Sequence, residues 1–481
     1  MHRAWTTAAV LVSAGIAGGL IGLAGCVHHA PAGPRPPSLT ETFDALIRDG
    51  CYLCLRDVVS RYRELPEAAR DRPDVRERAT RAALLLLLRR HELGLPADAE
   101  EAAARELVAS DANASVQVAA GLRVLAFLPP NTRGIGEDAA DALLPHWPSQ
   151  EEQDALRQSL AAQRQASELD AYLFLSFVCR FGDPADVSDV ANAFAASPLV
   201  RYRAATCRDA DVPVLRALLA ANPRFAEIRY SLGTFETQEG QDTAAAADLD
   251  AAWESIPHLT VARLAGAELA LRAEDYARAL SLVDDLLAVV PGHRRARLVR
   301  LQALTYLKRH DEAIALAHEL SAGPWYLGDV YYLLAWNEYQ TSRIAPALAD
   351  VQHAGIYESS GRVHTLEGLV RMEQARWSDA RDAFKAALAA DARGCDAAFY
   401  LGHAEARLSA RDASAQAFES AARCYGDEAE RLQKQAAEIA GADPDAVRRR
   451  TRLERKRDEA LERQRKAREL AAPGPIAQKS E

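Results

Sequence analysis

The sequence predicts an all-α solenoid of antiparallel helical hairpins, and two observations carry that prediction. A small residue returns at Ala245, Ala279, Ala313, Ala347, Ala380 and Ser414, in steps of 34, 34, 34, 33 and 34. Other positions keep the same step: Pro223, Pro257 and Pro291 are 34 apart, as are Gly368 and Gly402. A period of this length marks a stacked array of supersecondary units. Composition agrees with it: 49% hydrophobic residues with only 6% aromatic, rich in Ala and Leu, suits helix-on-helix packing better than a sheet-based enzyme core.

Each unit reads as two helices. In the first, Leu232 and Gly233 precede a Gly-Gln-Asp turn at Gly240 to Asp242, and Ala245, Leu249 and Ala252 follow at helical spacing before Pro257. One hairpin cannot bury both of its apolar faces, so it stacks on the next, and small residues at the crossing let helices approach closely. Proline ends the second helix because it lacks the N–H that would continue the ladder.

On these residues the pattern resembles the tetratricopeptide repeat family, whose unit has small residues on both helices, an aromatic or large apolar residue on the second, and a closing proline. Gly402, Ser414, Phe418 and Ala421 match it in one unit, and Gly368, Ala380, Phe384 and Ala387 in another. Ala267, Ala279, Val283, Leu286 and Pro291 match it in a third, while Leu301 departs from it where a small residue is usual. The resemblance implies a right-handed superhelix whose first helices line a concave groove that binds protein or peptide. It places about six repeats over 223–426.

The N-terminus reads as an export signal over 1–25: Arg3, a small apolar stretch from Ala8 to Leu20, then Leu23-Ala24-Gly25-Cys26. That tetrad resembles the bacterial lipobox, which implies cleavage before Cys26 and acylation of its sulfur and amino group, a stable membrane anchor. Val27 after the cysteine resembles lipoproteins sorted to the outer membrane. Residues 26–38 hold Pro31, Pro34, Pro36 and Pro37, an extended tether, and His28 and His29 there read as polar spacer, not a metal site. Folding is expected to start where Ser38 and Glu41 match a capping box.

Over 39–222 the pattern stays helical but irregular, either degenerate hairpins continuous with the array or a separate helical domain. Leu84 to Leu88, flanked by Arg81, Arg89 and Arg90, is too short to span a membrane and reads as a buried helix. Pro129-Pro130 to Gly136 reads as a loop and His146-Trp147-Pro148 as a helix stop. The expected charged C-terminal helices fill 427–472, the last opening at Asp443-Pro444 with almost no apolar stripe, before a disordered tail over 473–481. From Asp443 onward twelve basic and eight acidic residues give a net +4, which leaves -14 on the rest of a chain whose net charge is -10. An acidic body argues against nucleic acid as partner.

Six cysteines remain after Cys26, and an even number in an exported chain points to disulfides. Cys395 and Cys424 fall at the start of the first helix and the end of the second helix of one unit, ends that an antiparallel hairpin brings together. Cys179 and Cys207 repeat that spacing. Cys51 and Cys54, sharing one face of a helix, are expected to form a local bond; the alternative makes them the exchange pair of a thiol-redox or accessory subunit of an envelope enzyme.

There is no Gly-rich phosphate loop, no H-E-x-x-H and no G-x-S-x-G, so neither an enzyme nor a cofactor or metal site is expected. Function is expected to lie in the groove. Tyr332, Trp336 and Tyr339 place three rings on one helical face at i, i+4 and i+7, as interface anchors or as core between hairpins. Arg295, Gln302, Arg362, Phe399 and His403 are expected to line the same groove. The sequence thus points to a membrane-tethered, protein-binding scaffold of the bacterial cell envelope, facing the periplasm, active in assembly, secretion or pilus-type complexes.

Overall fold

The computed structural model describes residues 37–110, 115–128, 131–135, 149–182, 185–207 and 210–472, and among them all regular structure is helical. Cys26 and its tether up to Pro36, the stop at Trp147 and the tail from 473 lie outside the described residues, as do Pro129, Pro130 and Gly136 of the expected loop; the part of that loop that is described forms a short helix, Thr132–Ile135, and not a loop. None of the described helices is long and apolar enough to cross a membrane.

The irregular half comprises α1 (Leu39–Asp49), α2 (Tyr52–Glu64), α3 (Glu67–Arg70), α4 (Pro73–Leu93), α5 (Ala99–Ala109), α6 (Val116–Phe127) and α7 (Thr132–Ile135). It continues with α8 (Gln150–Ala161), α9 (Glu168–Phe181), α10 (Ala185–Ala193), α11 (Pro198–Ala205) and α12 (Val212–Ala221). Units 1 to 3 pair α13 (Ala226–Gln238) with α14 (Asp242–Ser255), α15 (Thr260–Arg272) with α16 (Tyr276–Val289), and α17 (Arg294–Tyr306) with α18 (His310–Ser321). Units 4 to 6 pair α19 (Leu327–Gln340) with α20 (Ile344–Tyr357), α21 (Gly361–Glu373) with α22 (Trp377–Ala390), and α23 (Cys395–Arg407) with α24 (Arg411–Glu438). The last helix is α25 (Pro444–Ala471).

Local chemistry sets the ends of these helices. The Ser38 hydroxyl accepts the Glu41 N–H at 3.3 Å while the Ser38 N–H donates to the Glu41 carboxylate at 2.6 Å, the expected capping box. Asp443 caps α25 by accepting the N–H groups of Asp445 and Ala446, with Pro444 in the first turn. Within each unit the chain reverses through one left-handed residue: Gly240, Glu274, Lys308, Ser342, Ala375 and Ser409, which repeat the steps of the small residues.

Packing inside a hairpin is a matter of paired volumes. A Cβ on Gly368 would stand 2.4 Å from Phe384, and one on Gly402 would stand 2.7 Å from Phe418, so each glycine makes room for the ring facing it. The other units trade size across the same two places, Ala267 with Val283, Ala335 with Val351, and Leu301 with Ala317, all buried. Leu301 therefore departs from the pattern without disturbing the stack, because Ala317 yields the space.

In the irregular half, Leu84 to Leu88 are all buried on α4, as the sequence indicated. One core cluster runs from Phe43 through α4 and α9 to Leu269 on α15, so apolar packing is continuous from this half into units 1 and 2. At the other end the expected change of structure at 427 does not occur. Helix α24 continues to Glu438, and Cys424 lies in its middle, not at its end.

Candidate functional site

The first helices of units 4, 5 and 6 carry residues that meet at one hollow. Tyr332 and Trp336 of α19, Arg362 of α21 and Phe399 of α23, three successive units, line one hollow of about 670 Å³. The Arg362 guanidinium lies 4.6 Å from the centroid of the Tyr332 ring and is held by Asp329 at 2.7 Å and by Glu358. Burial works against its charge, but these two carboxylates hold it well above the usual arginine range. Tyr332 and Trp336 also line a second hollow of about 350 Å³ with Tyr306 and His310, which extends the groove toward unit 3.

The aromatic row serves two purposes. Tyr332, Trp336 and Tyr339 are each half-buried and pack against the cluster formed by Ala335, Val351 and Leu366. Only the first two also reach the larger hollow; Tyr339 leans on Trp336, ring centroids 6.1 Å apart. His403 sits edge-on between Phe399 and Phe418, at 4.9 and 5.0 Å. Burial, then the cations Lys466 and Arg407, push its pKa below the ordinary histidine value, which favours a neutral ring that braces Phe399.

Of the expected groove residues, Tyr339 and His403 stand behind the rings that line the hollow, and two more stand elsewhere. Arg295 and Gln302 are on α17, and the hollow over units 4 to 6 does not reach them. Arg295 instead pairs with Glu268 at 2.8 Å, the carboxylate that Arg133 of the irregular half also reaches at 2.7 Å. Unit 3 reaches this part of the surface through Tyr306 and His310, which line the smaller hollow, and not through Arg295 or Gln302, so shared register does not mean shared site.

The wall opposite the aromatic row was not expected. It is built by Tyr425 and Glu428 of α24 and by Arg463 and Lys466 of α25. Asp396, at the start of α23, accepts hydrogen bonds from the Tyr425 hydroxyl at 2.5 Å and from Arg463 at 2.8 Å. Lys466 lies 5.8 Å from the centroid of the Phe399 ring. The sequence signal for this wall is alanine: Ala446, Ala460 and Ala467 with Leu453 keep a step of seven on α25, as do Ala422, Ala429 and Ala436 on α24. The predicted lack of an apolar stripe on α25 is thus corrected to a narrow one of small residues.

The six cysteines lie at disulfide distance in three pairs. Sulfurs are 1.99 Å apart for Cys51–Cys54, 2.01 Å for Cys179–Cys207 and 1.97 Å for Cys395–Cys424. The expectation that Cys51 and Cys54 share one face of a helix is corrected: Cys51 is the N-cap, just before α2, its sulfur accepting the Cys54 N–H. Both are wholly buried, so an external thiol has no direct approach to the bond, which disfavours an exchange role.

A family model described as tetratricopeptide repeat matches residues 212–258, 264–324 and 365–429. No curated protein matches the chain. Among solved structures, TTC0263, a thermophilic TPR protein in Thermus thermophilus, is 16% identical over 38% of this chain and 99% of its own, with a TM-score of 0.31. YrrB, a TPR protein with an unusual peptide-binding site, is 18% identical over 36% of this chain and 90% of its own, at 0.30. The APC/C hetero-tetramer Cut9-Hcn1 is matched over 89% of this chain and 92% of its own at 14% identity, at 0.36. The family match spans units 1 to 3, 5 and 6, and passes over unit 4, which brings Tyr332 and Trp336 to the groove. The family model thus falls on units 1 to 3, 5 and 6, and unit 4 shares with them the helical hairpin and the left-handed turn.

Proposed function

We propose that this chain is a lipid-anchored scaffold of the bacterial cell envelope, facing the periplasm, whose array holds an extended segment of a protein partner against Tyr332, Trp336 and Phe399. The observation that carries it is the convergence of these rings, from two units of the array, on one hollow of about 670 Å³. Aromatic anchors give large contact area at low entropic cost, which is why they dominate the energetics of interfaces. The surroundings mix signs, Arg362, Arg463 and Lys466 against Asp391, Asp396 and Glu428, which suits a peptide with its own mixed charges better than a polyanion. The anchor and the address rest on Leu23-Ala24-Gly25-Cys26 and on Val27.

A photo-crosslinking residue in place of Tyr332, in cells, tests the groove. One defined protein adduct is expected, lost when Trp336→Ala is added to a chain of unchanged circular dichroism. Adducts that ignore Trp336→Ala would place the partner elsewhere. For the anchor, labelled palmitate is expected on the wild type and absent from Cys26→Ser, with the variant moving to the soluble fraction; an unlabelled, soluble wild type sinks that half of the proposal.

A further inference from the structure

Helix α25 joins the two ends of the array, and it does so by two different kinds of contact. Against α24 it packs through the alanine seam: Ala422, Ala429, Ala436, Ala446, Ala460 and Ala467 are all buried. Gly426 keeps the approach close, since a Cβ there would stand 2.4 Å from Gln464, whose amide donates to the Ala422 carbonyl at 3.1 Å. This α24–α25 pair is a rigid arm, because α24 is one continuous helix that begins inside unit 6.

The first half of the same helix reaches units 1 and 2, some 180 to 205 residues earlier in sequence, through polar and charged groups. The Asp445 carboxylate accepts the Thr243 N–H at 3.0 Å and the Thr243 hydroxyl at 2.8 Å. Arg449 lies over Gly240, where a Cβ would strike its guanidinium. Arg452 donates to the Arg272 carbonyl at 2.8 Å, and Glu274, on its left-handed turn, takes both Arg455 and Lys456. The cations are about half exposed, Arg455 at 50% and Lys456 at 46%, while Glu274 and Asp445 keep 28% and 12%.

We infer that the C-terminal arm is a charge-held latch that ties the last unit to the first two and fixes the curvature of the intervening units, and that ionic strength or a competing acidic surface releases it. The physical reason is the asymmetry of its contacts. Apolar burial along the alanine seam is indifferent to salt or strengthened by it, whereas ion pairs whose cations stand half in solvent weaken as the screening length falls from about 8 Å at 0.15 M to about 3 Å at 1 M. Release therefore frees the arm from units 1 and 2 and leaves it docked on unit 6. The inference stands whether or not the groove binds a peptide.

Fluorophores placed at Glu239 of unit 1 and Glu430 of the arm, both exposed, report the closure in the full chain without touching the disulfides. Energy transfer is expected to fall as salt is raised, and to be low already at low salt in Glu274→Arg. It is expected to return when Arg455→Glu and Lys456→Glu are added to that variant. Transfer that ignores both salt and Glu274→Arg overturns the inference, as does a triple variant that stays as open as the single one. Amide exchange over α13 to α16 separates unlatching from unfolding: retained protection with low transfer supports the latch, and lost protection overturns it.

Discussion

In units 1 to 6 the hairpins bury mostly alanine, valine and leucine in places that recur along the array, whereas the half before Asn222 buries Phe43, Tyr52, Tyr172, Phe174 and two arginines around a single central helix. The array needs each residue to agree only with its neighbours, so size can be traded locally, as Leu301 and Ala317 show. The irregular half has no such freedom. Its centre is Arg89, wholly buried, 3.8 Å from the centroid of the Tyr202 ring, 3.5 Å from Glu227 and 3.4 Å from Glu92. Glu227 belongs to α13 and also accepts the Tyr52 N–H at 2.8 Å, so the buried charge pair is the joint between the two regions.

The largest expected effect breaks that joint. Glu227→Ala leaves the buried Arg89 guanidinium with Glu92 as its one remaining carboxylate, removes the acceptor of the Tyr52 N–H, and is expected to cost about 3 kcal/mol in urea unfolding. Removing the exposed partner in Arg300–Asp284, inside the array, should cost under about 1 kcal/mol. If the double change Arg89→Met with Glu227→Leu is no more stable than Glu227→Ala, the joint is not held by charge pairing. Next comes the volume trade. Leu301→Ala is expected to cost about 3 kcal/mol, and Ala317→Val to restore part of it; strict additivity of the two would show that they do not share one space.

A third test sets unit 4 apart from its neighbours by pH. Glu338 is pushed up to about 8 by burial, then by hydrogen bonding to Asp350 and the charge of that carboxylate, against the pull of Arg343. Its folded pKa lies above its unfolded value of 4.5, so the folded state holds the proton longer. The stability from this group is complete below about 4.5 and is lost as pH rises through about 8. Glu338→Gln is expected to flatten that decline; Leu304→Gln, at the corresponding buried place of unit 3, should destabilise without changing the slope. The smallest expected effect is at the left-handed turns. Ala375→Gly should stabilise by about 1 kcal/mol, since a Cβ is disfavoured at its φ of 56°; equal or lower thermal stability would mean that the turn is not strained.

Much of this was legible in the sequence because it depends on neighbours. The step of 34 gave the hairpins, Ser38 and Glu41 the first cap, Asp443 and Pro444 the last helix start, and the spacing of Cys395 and Cys424 the closure of one hairpin. The candidate site was half legible. Register singled out Tyr332, Trp336, Arg362 and Phe399, which do meet, but it gave equal standing to Tyr339, His403, Arg295 and Gln302, which do not line the hollow. Periodicity says which face a residue occupies and is silent about how far the superhelix turns between one unit and the next.

The repeat, the helix ends and the cysteine spacings follow from the order of residues along the chain, since all are written in contacts between residues one or two helices apart. Long-range packing settled the rest: that α24 runs on past Cys424, that α25 turns back to wall the groove with Arg463 and Lys466, and that Glu274 and Glu227 receive partners some 140 to 180 residues away. An alanine seam carries little hydrophobic signal, and a surface arginine looks the same in sequence whether it faces water or a distant glutamate. Which of these it faces is set by the accumulated curvature of the array, a property that belongs to no single unit.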